Sequence, residues 1–254
     1  MKENEIYYYK SYEDDLVISK NQEYKLPDNY KWIHSNVFYR FFSSILYRIA
    51  KFCGAIYCKC FLHIKIENKD ILKKYKKQGY FIYGNHTQPI GDVFIPALLS
   101  SKRIYTIASS SNIGVPVIGP LLPMIGILPI PKELKRTKKI IEAVYTRISQ
   151  NNAVIVYPEA HVWPYYTKIR PYKDTAFGFQ VDTNSISFCM TTTYYKRKYG
   201  KKPGIKVYID GPFKIDTNLN KKENKEKLCK EIYECMVDRS KNSFYDYIKY
   251  VERL

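Results

Sequence analysis

The sequence predicts an α/β fold: a layered, mostly parallel sheet flanked by helices, preceded by an amphipathic N-terminal helix. Three observations carry this expectation. Short apolar runs read as strands, longer stretches of helical periodicity alternate with them, and one interrupted apolar stripe stands near the N-terminus. At 254 residues the chain is long enough for a substantial core. Its hydrophobic fraction of 45%, including 26 Tyr and 12 Phe, supplies the apolar surface that disordered chains lack.

Through about Pro27 the sequence is polar and rich in Tyr, Lys and Glu without a sustained period, which predicts an extended or loosely packed arm. From Val37 to Ile56 the apolar residues Phe38, Phe41, Ile45, Ile49, Phe52 and Ile56 recur every three or four positions, which predicts an amphipathic helix. A spanning helix needs roughly 20 largely apolar residues, and Arg40, Arg48 and Lys51 interrupt this run. It is therefore expected to lie in a membrane interface rather than cross it, although a helix packed on the protein core would show the same stripe.

Beyond it, Phe61–Ile66 alternates like a strand, Asp70–Lys77 reads as helical, and Gly79–Tyr83 is a short apolar strand. Further strands are expected at Ile104–Ile107, Ile127–Ile130, Ala153–Tyr157, Ile186–Thr191 and Ile205–Ile209. Helices are expected at Val93–Ser100, Glu133–Gln150, Tyr172–Asp182, Leu219–Asp238 and Ser243–Val251. In the helix from Glu133, Leu134, Ile141, Val144 and Ile148 should form one buried stripe. The organisation expected is an N-terminal arm with its interface helix over 1–60 and a catalytic domain over 61–254.

The 42 basic residues outnumber 24 acidic ones, leaving a formal charge of +18. Such a surface attracts anionic lipid, nucleic acid or phosphate-bearing substrates. Paired Cys/His zinc spacing and aromatic RNP-like strands are both missing, so nucleic acid is not an expected partner. Six cysteines show no structural-zinc spacing, and the N-terminus lacks a secretory pattern, so free thiols in a reducing cytoplasm are expected.

In mostly parallel sheets chemistry gathers where loops leave the carboxyl ends of strands. Two such loops stand out: Asn85, His86 and Asp92 after the strand ending at Tyr83, and Tyr157, Pro158, Glu159 and His161 after the strand that includes Val156. Asp92, at the opening of a helix, can turn back to His86, fix its tautomer and leave the other ring nitrogen free to take a proton from an alcohol. A helix cap and an unrelated loop histidine would produce the same residues.

Read together, the flanking segments resemble the glycerolipid acyltransferase family, which contains the lysophosphatidic acid acyltransferases. The family's first motif, Asn-His, four residues and Asp, is similar to Asn85-His86-Thr87-Gln88-Pro89-Ile90-Gly91-Asp92, here with five intervening residues. The second resembles Gly126-Ile127-Leu128-Pro129-Ile130-Pro131-Lys132, with Lys132 where the family has Arg. The third, Phe-Pro-Glu-Gly-Thr-Arg, resembles Tyr157-Pro158-Glu159-Ala160-His161-Val162, with Ala160 and Val162 in place of Gly and Arg. His161, Lys168, Arg170 and Lys173 are candidates for the missing basic contact. The fourth is expected at Ser185–Met190.

The resemblance implies an O-acyltransferase in phospholipid biosynthesis, with His86 and Asp92 catalytic and Asn85, Thr87, Gly126, Lys132, Pro158, Glu159 and His161 in substrate binding. It implies an acyl thioester donor, acyl-CoA or acyl carrier protein, used as a substrate with no cofactor or metal, and a lysophospholipid acceptor of the 1-acylglycerol-3-phosphate type. An anionic membrane surface is the expected partner, and the cytoplasmic face of the cell membrane the expected location. A noncatalytic lipid-binding homologue, or transfer to a different lyso-lipid, would fit the same motifs.

Overall fold

The computed structural model describes residues 1–17 and 23–253, so residues 18–22 of the expected N-terminal arm lie outside the described residues. A seven-stranded sheet is built from β2 (Lys65–Glu67), β3 (Tyr80–Gly84), β4 (Ile104–Ser109), β5 (Ile127–Ile130), β6 (Ala153–Val156), β7 (Ile186–Tyr195) and β8 (Gly204–Phe213). Its order is β2-β8-β7-β3-β6-β4-β5. Every pairing is parallel except β7 with β8, which agrees with the expected mostly parallel α/β architecture.

The strand period places alternate residues of β3 and β6 in two separate cores. Phe81, Tyr83, Val154 and Val156 face one, which is covered by α3 (Thr137–Ser149) and α5 (Lys221–Ser240). Tyr80, Ile82, Ala153 and Ile155 face the other, which is covered by α2 (Gly91–Leu99). Burial on both faces explains why these strands read as unbroken apolar runs. α5 opens with a capping box in which the Asn220 side chain accepts from the Glu223 backbone while the Glu223 carboxylate accepts from Asn220. A short α4 (Gly178–Thr183) leads into β7.

α1 (Val37–Ile56) has the bounds its periodicity predicts, and the Asn36 side chain caps it by accepting from Tyr39 N at 3.0 Å. Its packing is the inverse of an ordinary core helix. The residues it buries are small, Ser43 and Gly54, while Phe38, Phe41 and Phe52 are 75%, 60% and 67% exposed. Gly54 is required because a Cβ there would lie 2.5 Å from Phe94 of α2. The core-helix alternative for the apolar stripe is thereby set aside, and no helix among the described residues is long and apolar enough to cross a membrane.

Several expectations are corrected. The segment Ser243–Val251 is not a helix: Ile248–Glu252 forms β9, which pairs in parallel with β1 (Glu5–Tyr9). Its spacing is helical, but its tyrosines stack across the strand pair, Tyr7 on Tyr250 at 5.8 Å, and that tertiary partner decides the conformation. The described part of the N-terminal arm is correspondingly a strand and an ordered segment, with Leu26 and Trp32 in the main core. Tyr57–Phe61 extends α1 as a π-turn, leaving only Lys65–Glu67 as strand. Lys69–Tyr75 is helical as expected, in 3₁₀ form, whereas α3 starts only at Thr137, so Leu134 is 90% exposed rather than part of a buried stripe.

Gly126 serves the backbone. It ends the 3₁₀ segment Gly119–Ile125 at φ +107°, and a Cβ there would lie 2.5 Å from the Ile104 carbonyl oxygen. Gly126→Ala should therefore destabilise the fold by about 1–3 kcal/mol. Gly178→Ala, with open space around the added methyl, should leave the urea midpoint unlowered. Equal midpoints for both variants would refute the steric account.

Candidate active site

β3 is central in the sheet and ends at Gly84, so the loop after it emerges between the ends of β6 and β7. Asn85 fastens this loop to β7 through two hydrogen bonds: its Nδ2 donates to Thr192 O at 3.0 Å, and Thr192 N donates to its Oδ1 at 2.8 Å. Thr87 is fully buried, with Oγ1 2.7 Å from the Tyr194 hydroxyl, which also receives Gln88 Nε2 at 2.9 Å. Both side chains, which the resemblance assigned to substrate binding, are turned into the protein and hold the loop to β7.

His86 between them remains reachable, its side chain 23% exposed. Its Nδ1 lies 2.7 Å from Asp92 Oδ2, and the same oxygen accepts from Gln88 N at 2.9 Å. The five-residue spacing therefore still brings the carboxylate to the imidazole. Gly91 makes this compact turn feasible, because a Cβ there would come within 2.9 Å of the Gln88 side chain. Nε2 of His86 has no hydrogen-bond partner among the described residues. The ring lies flat on Tyr157, centroids 4.4 Å apart at 17°, and the Tyr157 hydroxyl donates to Asp92 O at 2.7 Å. Gly84 lets Tyr157 approach this closely, since a Cβ there would meet its ring at 2.9 Å.

Burial raises the Asp92 carboxyl above its ordinary pKa; the hydrogen bond from His86, the charge of that ring and backbone donors oppose the shift. An imidazole with one nitrogen held by a carboxylate and the other open can act as a general base of fixed orientation.

Glu159 reaches the site indirectly. Its side chain is fully buried, Oε2 accepting from His86 N at 3.0 Å and from Arg170 Nη2 at 3.1 Å, and Oε1 from Arg170 N at 2.9 Å. The carboxylate that the resemblance assigned to substrate binding is thus engaged by the His86 backbone and by Arg170. Arg170, a candidate for the missing basic contact, is Glu159's buried partner and also donates to Tyr12 O and His161 O. Ala160 stands at φ +62° where the family pattern has Gly, and His161 Nδ1 lies 3.5 Å from Asp15. Pro158 turns the chain between Tyr157 and Glu159 and is partly exposed.

Lys132 follows edge strand β5, three strands from β3 or about 14 Å at ordinary strand spacing, with its ammonium 3.7 Å from Glu23. The structure brings His86, Asp92, Tyr157 and Glu159 together and leaves Lys132, Gly126 and His161 outside that cluster. The roles of Tyr157, Tyr194 and Arg170 were missed in the sequence. The aromatic first position of the third block was the available signal for Tyr157, and nothing local marks Arg170 as the partner of Glu159.

A family model described as Acyltransferase matches residues 63–191, just over half the chain. No curated protein matches the sequence. Among solved structures, the chain is similar to the crystal structure of the 1-acyl-sn-glycerophosphate (LPA) acyltransferase PlsC from Thermotoga maritima. That likeness has a TM-score of 0.55 at 13% identity and covers 84% of this chain and 86% of the other.

The Asp92→Asn variant separates chemistry from stability. A carboxyl whose folded pKa is raised contributes stability that is complete below its unfolded pKa, about 3.9, and lost as pH rises through the folded value. At neutral pH Asp92→Asn should thus leave the urea midpoint unchanged or higher. An Asn amide donating to Nδ1 would place the ring proton on Nε2, so turnover should fall about 10²–10⁴-fold with little change in KM. A wild-type rate would show that another group orients the base.

Proposed function

The chain belongs to the Acyltransferase family, and on that premise we propose that it transfers a fatty acyl group from a thioester donor to the hydroxyl of a lysophospholipid. The observation that carries this reading is the 2.7 Å contact of His86 Nδ1 with Asp92, which leaves Nε2 without a hydrogen-bond partner among the described residues.

In the reaction, Nε2 of His86 removes the proton of the acceptor hydroxyl as its oxygen attacks the thioester carbonyl. The tetrahedral intermediate collapses with loss of the thiolate, which takes up the proton, and the ester is released. Asp92 stabilises the imidazolium between these steps, and the flat face of Tyr157 limits the ring's freedom to tilt. Acyl-CoA or acyl carrier protein is the proposed donor, and the positive surface suits either. The proposed acceptor is of the 1-acylglycerol-3-phosphate type, in keeping with the fold's likeness to PlsC and with the family's second block ending in Lys132.

The proposed location is the cytoplasmic face of a membrane, reached through the outward apolar stripe of α1. With Arg40 and Arg48 on the same helix, anionic headgroups add about 1 kcal/mol per basic residue near the surface.

His86→Ala should lower acyl transfer about 10²–10⁴-fold, read by thiol release across lysolipid acceptors with both donor types. Near-normal turnover would overturn the mechanism. For the membrane, Phe38→Ser with Phe52→Ser should reduce co-sedimentation with anionic vesicles. Unchanged sedimentation of that variant would place the membrane contact elsewhere.

A further inference from the structure

A cleft of about 660 Å³ opens beside the N-terminal half of α1, lined by Tyr30, Trp32, Tyr39, Arg40, Arg103 and Arg147 among others, with no acidic side chain in its wall. The arginines that meet a carboxylate among the described residues are Arg136, Arg170 and Arg239, so the three in the cleft stand outside any ion pair. Arg103 and Arg147 both lie over the Tyr105 ring, their guanidinium carbons 5.3 and 4.6 Å from its centre. The Nε of each is buried without a hydrogen-bond partner. Other donors hold both in place: Arg103 Nη2 donates to Ser43 Oγ at 2.7 Å, and Arg147 Nη2 to Trp32 O at 3.3 Å. Desolvation and the charges of Arg103 and Arg40 lower the pKa of Arg147, against Tyr105 and Tyr39, which raise it.

Gathering three cations with no anion in one cleft is unfavourable unless a ligand supplies the charge. Guanidinium groups favour phosphate, which their fork geometry matches. The cleft is also remote from the chemistry. Ile104 is level with Ala153 and so with Tyr80, the first residue of β3, whereas His86 follows the last. Arg103 therefore lies at the opposite end of the strands, at least about 13 Å from the His86 loop along them. Val37 and Phe41 of the exposed α1 stripe form part of the cleft wall, so an apolar surface adjoins the cationic pocket.

The geometry points to a binding site in this cleft for the phosphate headgroup of an anionic lipid, separate from the catalytic loop. The phosphate meets Arg40, Arg103 and Arg147 while the lipid's chains lie along Val37 and Phe41. The inference is independent of the acyl-transfer reading and takes from the membrane reading only the source of the phosphate.

Trp32 lines the cleft and provides a signal that needs neither turnover nor vesicles. Dihexanoyl phosphatidate, kept below its micelle concentration, should change Trp fluorescence saturably, and dihexanoyl phosphatidylcholine should bind at least about tenfold more weakly. Arg40→Gln with Arg147→Gln should weaken phosphatidate binding by at least about tenfold. Because Arg147 also supports Trp32, Arg40→Gln alone provides the variant least able to disturb folding: its side chain is exposed, and it should weaken binding about fivefold with an unchanged urea midpoint. Equal affinity in the intact chain and in Arg40→Gln overturns the site. Coenzyme A binding there more tightly than phosphatidate overturns the lipid assignment and gives the cleft to the acyl donor.

Discussion

The buried ion pair of Glu159 and Arg170 is the interaction on which the rest of the site depends. Two charges taken wholly out of water are tolerated only when hydrogen bonds satisfy them, and here they do so for all but the buried Nε of Arg170, which has no partner among the described residues. Glu159 accepts from the His86 and Arg170 backbones and from the guanidinium, while Arg170 reaches Tyr12 and His161 carbonyls and lies over the Trp163 ring at 4.8 Å. Three segments far apart in sequence thus meet at one charge pair: the loop after β3, the loop after β6 and the N-terminal arm. Removing one partner of such a pair costs about 3–5 kcal/mol, because the survivor is left buried and unbalanced. The backbone of the proposed base is held by that same carboxylate.

Around this centre the molecule separates rigidity from access. The residues flanking His86 on its loop, Asn85 and Thr87, are spent on holding the loop to β7, and the ring itself is fixed at one nitrogen and stacked at one face. What stays open is Nε2. α1 shows a similar division on a larger scale, its small residues turned to the protein and its phenylalanines turned out. A surface that apolar calls for a covering phase, which is why the membrane reading rests on packing and not on charge alone.

Much of the sheet was legible because strands buried on both faces leave unbroken apolar runs, and α1 because Phe38 through Ile56 keep one period without a breaker. The first motif announced His86 and Asp92, whose partnership spans six positions and is local. Other features were illegible for a common reason. β1 and β9 are defined by each other across the length of the chain, and neither Tyr-rich segment has an intrinsic pattern that forces a strand. Glu159 was visible at a strand end, but its partner Arg170 lies beyond an aromatic stretch whose path depends on contacts with the arm: Trp163 Nε1 donates to Asp14 O at 2.9 Å, and its ring stacks on Tyr250 at 5.2 Å. The motif alone does not show that the polar side chains of Asn85, Thr87 and Glu159 turn inward.

The pairing of Glu5–Tyr9 with Ile248–Glu252 also sets a timetable. During synthesis the His86 loop and the third motif emerge long before β9, yet Trp163, against which Arg170 rests and which also packs on Tyr9, Tyr12 and Tyr166, gains the parallel-stacked ring of Tyr250 only when β9 appears. Closing a loop of that length is among the last and slowest contacts a chain can make. A ribosome-bound chain would therefore carry its proposed base, its aspartate and its exposed α1 face before the aromatic wall behind the glutamate is finished.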